Sequence, residues 1–310
     1  MRPSKHLIVI CLCFLIAWPI HQSHSYAAKL KIVTTIFPLY EMAKEVAGEK
    51  AKVYMLLPPG ADPHSFEPRP SDFNKVKEAQ LVLMVGAGLD NWVEDIFKAL
   101  NDSSFHKKIL VLSNGAPLIQ TAHQHHTEID PHIWLDFQWD IKFVQKIAQK
   151  LSEIDPANTT YFKRNSKAYI QKLKKLDASF RQILAQCSTK TFIVGGHGAF
   201  SYLARAYGLK QLSLYGLSPD ERPTPKKMVE LIKIMRKLGI NSIFFEGGVS
   251  NKLAKVLSRE TGAKIFILHA GASLTKDQLE NSVTFIGLMY ENLKNLSQGL
   301  GCSSSLNSHN

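Results

Sequence analysis

The sequence predicts an α/β protein of two lobes, each a mainly parallel four-stranded sheet with helices on both faces, joined by one long backbone helix. Three observations lead there. Apolar β-rich runs alternate with helical stretches between Leu30 and Leu112, the βαβα series that builds a parallel sheet covered on both sides. After Pro156 about thirty residues pass without an internal Gly or Pro, enough for a helical strut of roughly 45 Å. A second alternating series of similar size then begins at Thr191.

Taken in order, Leu30 to Phe37 reads as a strand, Pro38 to Gly48 as a helix, Ala51 to Leu57 as a strand and Ser71 to Ala79 as a helix. Leu81 to Val85, the helix Leu89 to Leu100 and Ile109 to Leu112 complete the first half. Ile141 to Ile154 has helical periodicity. Asp155-Pro156 then places a proline where a new helix can start, and that helix runs to about Gln186. The second half reads as strands at Thr191 to Val194, Gln211 to Leu214, Ser242 to Phe245 and Lys264 to Leu268. Its helices are Ala199 to Tyr207, Thr224 to Leu238, Ser250 to Thr261 and a final one from Lys276 to Leu296. The expected division is 1–27 signal peptide, 28–155 N-terminal lobe, 156–186 linking helix, 187–298 C-terminal lobe and 299–310 flexible tail.

The expected signal is a basic start at Arg2 and Lys5, an apolar run from Leu7 to Trp18, and small residues at Ser25 and Ala27. The run is shorter than the roughly 18 residues of a convincing membrane span. Cleavage near Ala27 would leave a soluble periplasmic protein. It would remove two cations and no carboxylate, taking the formal charge from +12 to +10. No clustered basic motif accompanies that excess, which argues against nucleic acid. It fits solubility and attraction to an anionic membrane surface. Cys187 and Cys302 are the two cysteines left, and in an oxidising compartment they either pair or stay free thiols.

Nine of the twelve histidines lie beyond Ala27. His64 follows the second strand, His132 lies beyond the fourth, His197 closes the first strand of the second half and His269 ends its last strand. Ligands of open α/β sheets bind beyond the carboxyl ends of strands, so all four stand where a site would be. Separations of 68, 65 and 72 residues exclude a finger-type site, and such ligands converge only between the lobes. Imidazole suits zinc, whereas carboxylate and carbonyl oxygen suit manganese. Four histidines would fill a tetrahedral shell and hold Zn2+ as cargo, leaving no position open for catalytic water. No HExxH motif signals a zinc protease. Asp62 and Asp130, each beside a proline, are expected to fix their turns by side-chain bonding, with an outer bond to an imidazole as the alternative. The tract His123-Gln124-His125-His126 reads equally as a polar loop or as a weak metal collector.

Pro63-His64-Ser65-Phe66-Glu67-Pro68, Asp130-Pro131-His132-Ile133-Trp134-Leu135-Asp136, His197 to Leu209 and Gly216-Leu217-Ser218-Pro219 together resemble the zinc- and manganese-specific solute-binding proteins of bacterial ABC importers. The resemblance covers essentially the whole chain after the signal. It implies two lobes about one backbone helix, no enzymatic turnover, a monomer, and a membrane permease as partner. It carries ligand roles onto His64, His132 and His197. A histidine at 197, where manganese members usually have a carboxylate, points to Zn2+ rather than Mn2+. The family commonly has Leu-Asp-Pro where this chain has Leu268-His269-Ala270, so His269 is the candidate fourth ligand, with water or an open position as the alternative. The rival readings are a manganese- or iron-binding member of the same family, a metal-dependent hydrolase and an adhesin.

Overall fold

The computed structural model describes residues 29–123, 126–218, 223–247 and 252–303. The expected signal peptide, His125 and Pro219 lie outside them. The first half comprises β1 (Leu30–Thr34), α1 (Phe37–Ala47), β2 (Ala51–Met55), α2 (Pro70–Glu78), β3 (Leu81–Met84), α3 (Trp92–Ala99), the single turn α4 (Phe105–Lys108) and β4 (Ile109–Val111). All strand pairings here are parallel, in the order β2-β1-β3-β4. Every residue of β3 is buried, because helices cover both faces of a parallel sheet and leave no side for water.

Next come β5 (Gln120–His123) and β6 (His126–Ile129), an antiparallel pair absent from the sequence reading. Helix α5 (Phe137–Ile154) starts four residues earlier than its apolar periodicity suggests, because Asp136 caps it by accepting from the Gln138 N–H at 3.1 Å. The backbone helix is shorter than expected. Pro156–Asn158 forms a separate 3-10 turn, and α6 (Thr159–Ala185) is a helix of 27 residues.

The second half follows with β7 (Thr191–Val194), α7 (Ser201–Ala206), β8 (Lys210–Ser213), α8 (Pro225–Leu238), β9 (Ser242–Glu246), α9 (Lys252–Thr261) and β10 (Lys264–Leu268). Its parallel sheet runs β10-β9-β7-β8. Counted within each half, both sheets have the order second, first, third, fourth, so both switch direction beside their first strand. Helix α8 shows why its boundaries were readable: the Thr224 side chain accepts from the Lys227 N–H, proline follows at the first position, and Gly239 ends it with φ 63°.

The expected final helix from Lys276 to Leu296 is two helices, α10 (Lys276–Glu280) and α11 (Phe285–Gly299). Ser282 takes φ 52° between them, and Thr284 caps α11 by accepting from the Gly287 N–H. Of the expected tail 299–310, residues 304–310 lie outside the described ones. Leu300 is buried, and Cys302 forms a disulfide with Cys187 that ties the end of α11 to the end of α6. One apolar cluster extends from Ile32 of the first sheet through Phe180 of α6 to Phe244 and Leu296, so the two halves share a core. Smaller clusters sit under α2 and α3 on one side and under α8 and α9 on the other.

Candidate metal centre

His64 lies in the loop between β2 and α2, where the Asp62 carboxylate accepts from the His64 N–H at 2.9 Å. His132 sits just before the 3-10 turn Ile133–Leu135. Asp130 accepts from both the backbone N–H and the ring Nδ1 of His132, at 2.9 and 2.8 Å. Tyr202 of the second half fixes this corner by donating to the Asp130 carbonyl and accepting from the Ile119 N–H, each at 2.9 Å. Thus Asp62 fixes its turn as expected, while Asp130 does that and also orients an imidazole. His197 follows β7, with its Nδ1 2.9 Å from a carboxylate oxygen of Glu246 at the end of β9. Glu246 was missed: a lone glutamate ending a strand carries no sequence signal, and only the pairing of β9 with β7 brings it to His197.

The three rings converge. Nε2 of His132 is 3.3 Å from Nε2 of His64 and 3.4 Å from Nε2 of His197. The ligand atoms of these three residues all lie within 4.8 Å of one another, and they are the one such group among the described residues. Two nitrogens at 2.0–2.1 Å from a tetrahedral zinc stand about 3.3–3.4 Å apart, so the spacing fits such an ion. The carboxylates on Nδ1 of His132 and His197 hold the proton there and turn the Nε2 lone pair inward. Burial, with the two neighbouring imidazoles, pushes His64 down to about 3, which keeps it neutral. At His197 burial opposes the charged form, but Glu246, by charge and hydrogen bond, outweighs it and the ring titrates above its ordinary value.

His269 directly follows β10 and is buried. It lines the same cavity of about 110 Å³ as the three histidines, together with Glu246 and Gly247. Its ligand atoms are not among the converging group. Asn292 of α11, fully buried, grips its backbone at both ends: the His269 N–H donates to Oδ1 at 2.7 Å and Nδ2 donates to the His269 carbonyl at 2.8 Å. Trp134 is fully buried and donates from Nε1 to the Ala270 carbonyl at 2.7 Å. His123 and His126 are paired in register at the end of the β5–β6 hairpin.

Residues 32–299 match the profile of a family described as "ZnuA: Zinc-uptake complex component A periplasmic". The chain belongs to that family. Similar proteins include the high-affinity zinc uptake system protein ZnuA of Bacillus subtilis, 32% identical over 95% of this chain and 97% of that protein. The zinc-binding protein AdcA of Streptococcus pyogenes serotype M1 is also 32% identical, over 96% of this chain. The chain spans 61% of the length of that streptococcal relative. A solved structure, the Zn(II)-bound ZnuA-like domain of Streptococcus pneumoniae AdcA, is 35% identical with a TM-score of 0.74, covering 88% of this chain and 99% of that one. In this ZnuA-family chain no helix among the described residues is long and apolar enough to cross a membrane.

Proposed function

We propose that this ZnuA-family protein captures Zn2+ outside the cytoplasm and delivers it to the permease of an ABC importer, with no chemistry of its own. The observation that carries this reading is the convergence of three Nε2 atoms at 3.3 and 3.4 Å, two of them backed by carboxylates. His64, His132 and His197 would hold the ion and His269 would add the fourth nitrogen. A donor set of imidazoles favours zinc over manganese, and four protein ligands hold an ion without leaving room for a reactive water. The zinc uptake and zinc binding named for the relatives support the same cargo. Residues 28–155 and 187–298 would form the two walls of the site, with 156–186 as the strut between them.

Competition titration of the purified, metal-stripped protein tests this. One zinc should bind per chain and resist displacement by a large excess of manganese. Manganese displacing zinc at comparable concentrations would sink the cargo assignment. Hydrolysis of model esters or peptides by the zinc-loaded protein would sink the transport reading.

A further inference from the structure

Three of the four cavity histidines have a carboxylate facing one ring nitrogen, but not the same nitrogen. For His132 and His197 it faces Nδ1, from Asp130 at 2.8 Å and Glu246 at 2.9 Å. For His269 it is Nε2 that faces the carboxylate, with Glu291 of α11 at 3.3 Å. Nε2 is buried from solvent and has no aligned hydrogen bond. The Nδ1–Cε1 edge of the ring faces Gly247, a residue of the cavity wall. A Cβ at position 247 would fall 2.7 Å from both Nδ1 and Cε1 of His269, so only glycine there admits the ring in this position.

We infer that His269 serves the metal through Nδ1, the reverse of the other three histidines, and that Glu291 is the positioning residue that imposes this by holding the proton on Nε2. The inference rests on the four-histidine reading above. A carboxylate beside one imidazole nitrogen fixes the tautomer and makes the other nitrogen the ligand. Here α11 supplies both constraints from adjacent residues, since Asn292 fixes the backbone of residue 269 through two hydrogen bonds and Glu291 faces its ring. The rotation of the ring relative to its backbone is therefore set by one helix. Glu291 is half exposed, so it can be changed without opening the core.

Long-range proton–nitrogen NMR of the 15N-labelled protein distinguishes the two ring nitrogens directly. The metal-free protein should show His269 as the Nε2–H tautomer, lost in Glu291→Ala. The zinc-loaded protein should show three imidazoles bound through Nε2 and one through Nδ1, the last missing from His269→Ala. Glu291→Ala should weaken zinc binding about 10-fold, at the lower end of what loss of an outer partner costs, and should have no effect in a His269→Ala background. Four imidazoles all bound through Nε2, or equal weakening by Glu291→Ala in both backgrounds, overturns the inference and leaves the four-histidine site standing. Three bound imidazoles with His269 unmoved by zinc overturns the four-histidine reading itself.

Discussion

Asp130 and Glu246 occupy a position of leverage out of proportion to their contact area, because neither converges with the three Nε2 atoms yet each decides where a lone pair points. Asp130 is fully buried and Glu246 partly so, and each stands within 2.9 Å of an Nδ1 atom. In Asp130→Asn and Glu246→Gln the shape remains but the charge that holds the proton on Nδ1 is gone. We expect zinc affinity to fall about 10–100-fold in each, measured by chelator competition. The metal-free melting curve of Glu246→Gln should move little. Unchanged affinity in both variants would mean that the converging geometry needs no carboxylate support.

Helix α5 carries a group that works against stability. Asp140, in its first turn, is completely buried, and neither carboxylate oxygen has a hydrogen-bond partner. Burial, then the charges of Asp136 and Glu41, raises it well above the ordinary 3.8. Glu41 is itself raised, chiefly by burial. It still accepts from Tyr169 at 2.7 Å and from the Phe285 N–H at 2.6 Å, which joins α1 and α6 to the start of α11. The folded chain therefore keeps a proton on Asp140 that the unfolded chain releases above about pH 3.8. Stability from this group is present below that pH and is lost as pH rises towards the folded value. Asp140→Asn should stabilise the fold at pH 7.5 by ~1 kcal/mol and have little effect near pH 4, as read by urea melts at both. Destabilisation at pH 7.5 would show that the charged carboxylate is accommodated.

The disulfide belongs to the same scale, since it clips the C-terminal end of α6 to the residues after α11. It closes a sequence separation of 115 residues. Loops near that length gain about 4–5 kcal/mol in the chain-entropy account, and native bridges typically contribute 2–5. Replacing both cysteines with serine should lower the urea midpoint accordingly while leaving zinc affinity within about two-fold, because the bridge lies at neither β-strand end that forms the site. A large affinity loss would mean that the clip also sets the cleft.

At the scale of the molecule, the segment that follows His269 is bonded to the opposite half at every second residue. The carbonyls of Ala270, Ala272 and Leu274 accept from Trp134 Nε1, the Phe37 N–H and the Gly60 N–H, at 2.7, 2.9 and 2.8 Å. With a core continuous through α6, these bonds resist separation of the halves and tie His269 to the wall that bears His64 and His132. Trp134→Phe keeps most of the volume and leaves the Ala270 carbonyl without its donor. It should cost about 1–3 kcal/mol and weaken zinc binding together with stability. A stable variant with intact affinity would show that the remaining two bonds suffice.

By itself the sequence determined the alternation of strands and helices, the pair of four-stranded sheets, the strut after Pro156 and the loops that bear His64, His132, His197 and His269. These are local properties: hydrophobic period, proline and glycine punctuation, and motif residues all act within a few positions along the chain. It also placed Asp62 and Asp130 correctly as turn-fixing residues, because both bonds reach only two residues ahead. Only the tertiary structure decided the rest. The short β5–β6 hairpin, with four residues in each strand, gave too brief a pattern to read. The break between α10 and α11 lies where Ser282 adopts a left-handed backbone that serine rarely takes, so composition could not announce it. Glu246 on His197, Glu291 beside His269, Gly247 under its ring and Cys302 on Cys187 are pairings between residues 22 to 115 positions apart. Such partners are chosen by how strands pair and helices pack, and a one-dimensional pattern does not carry the geometry that selects them.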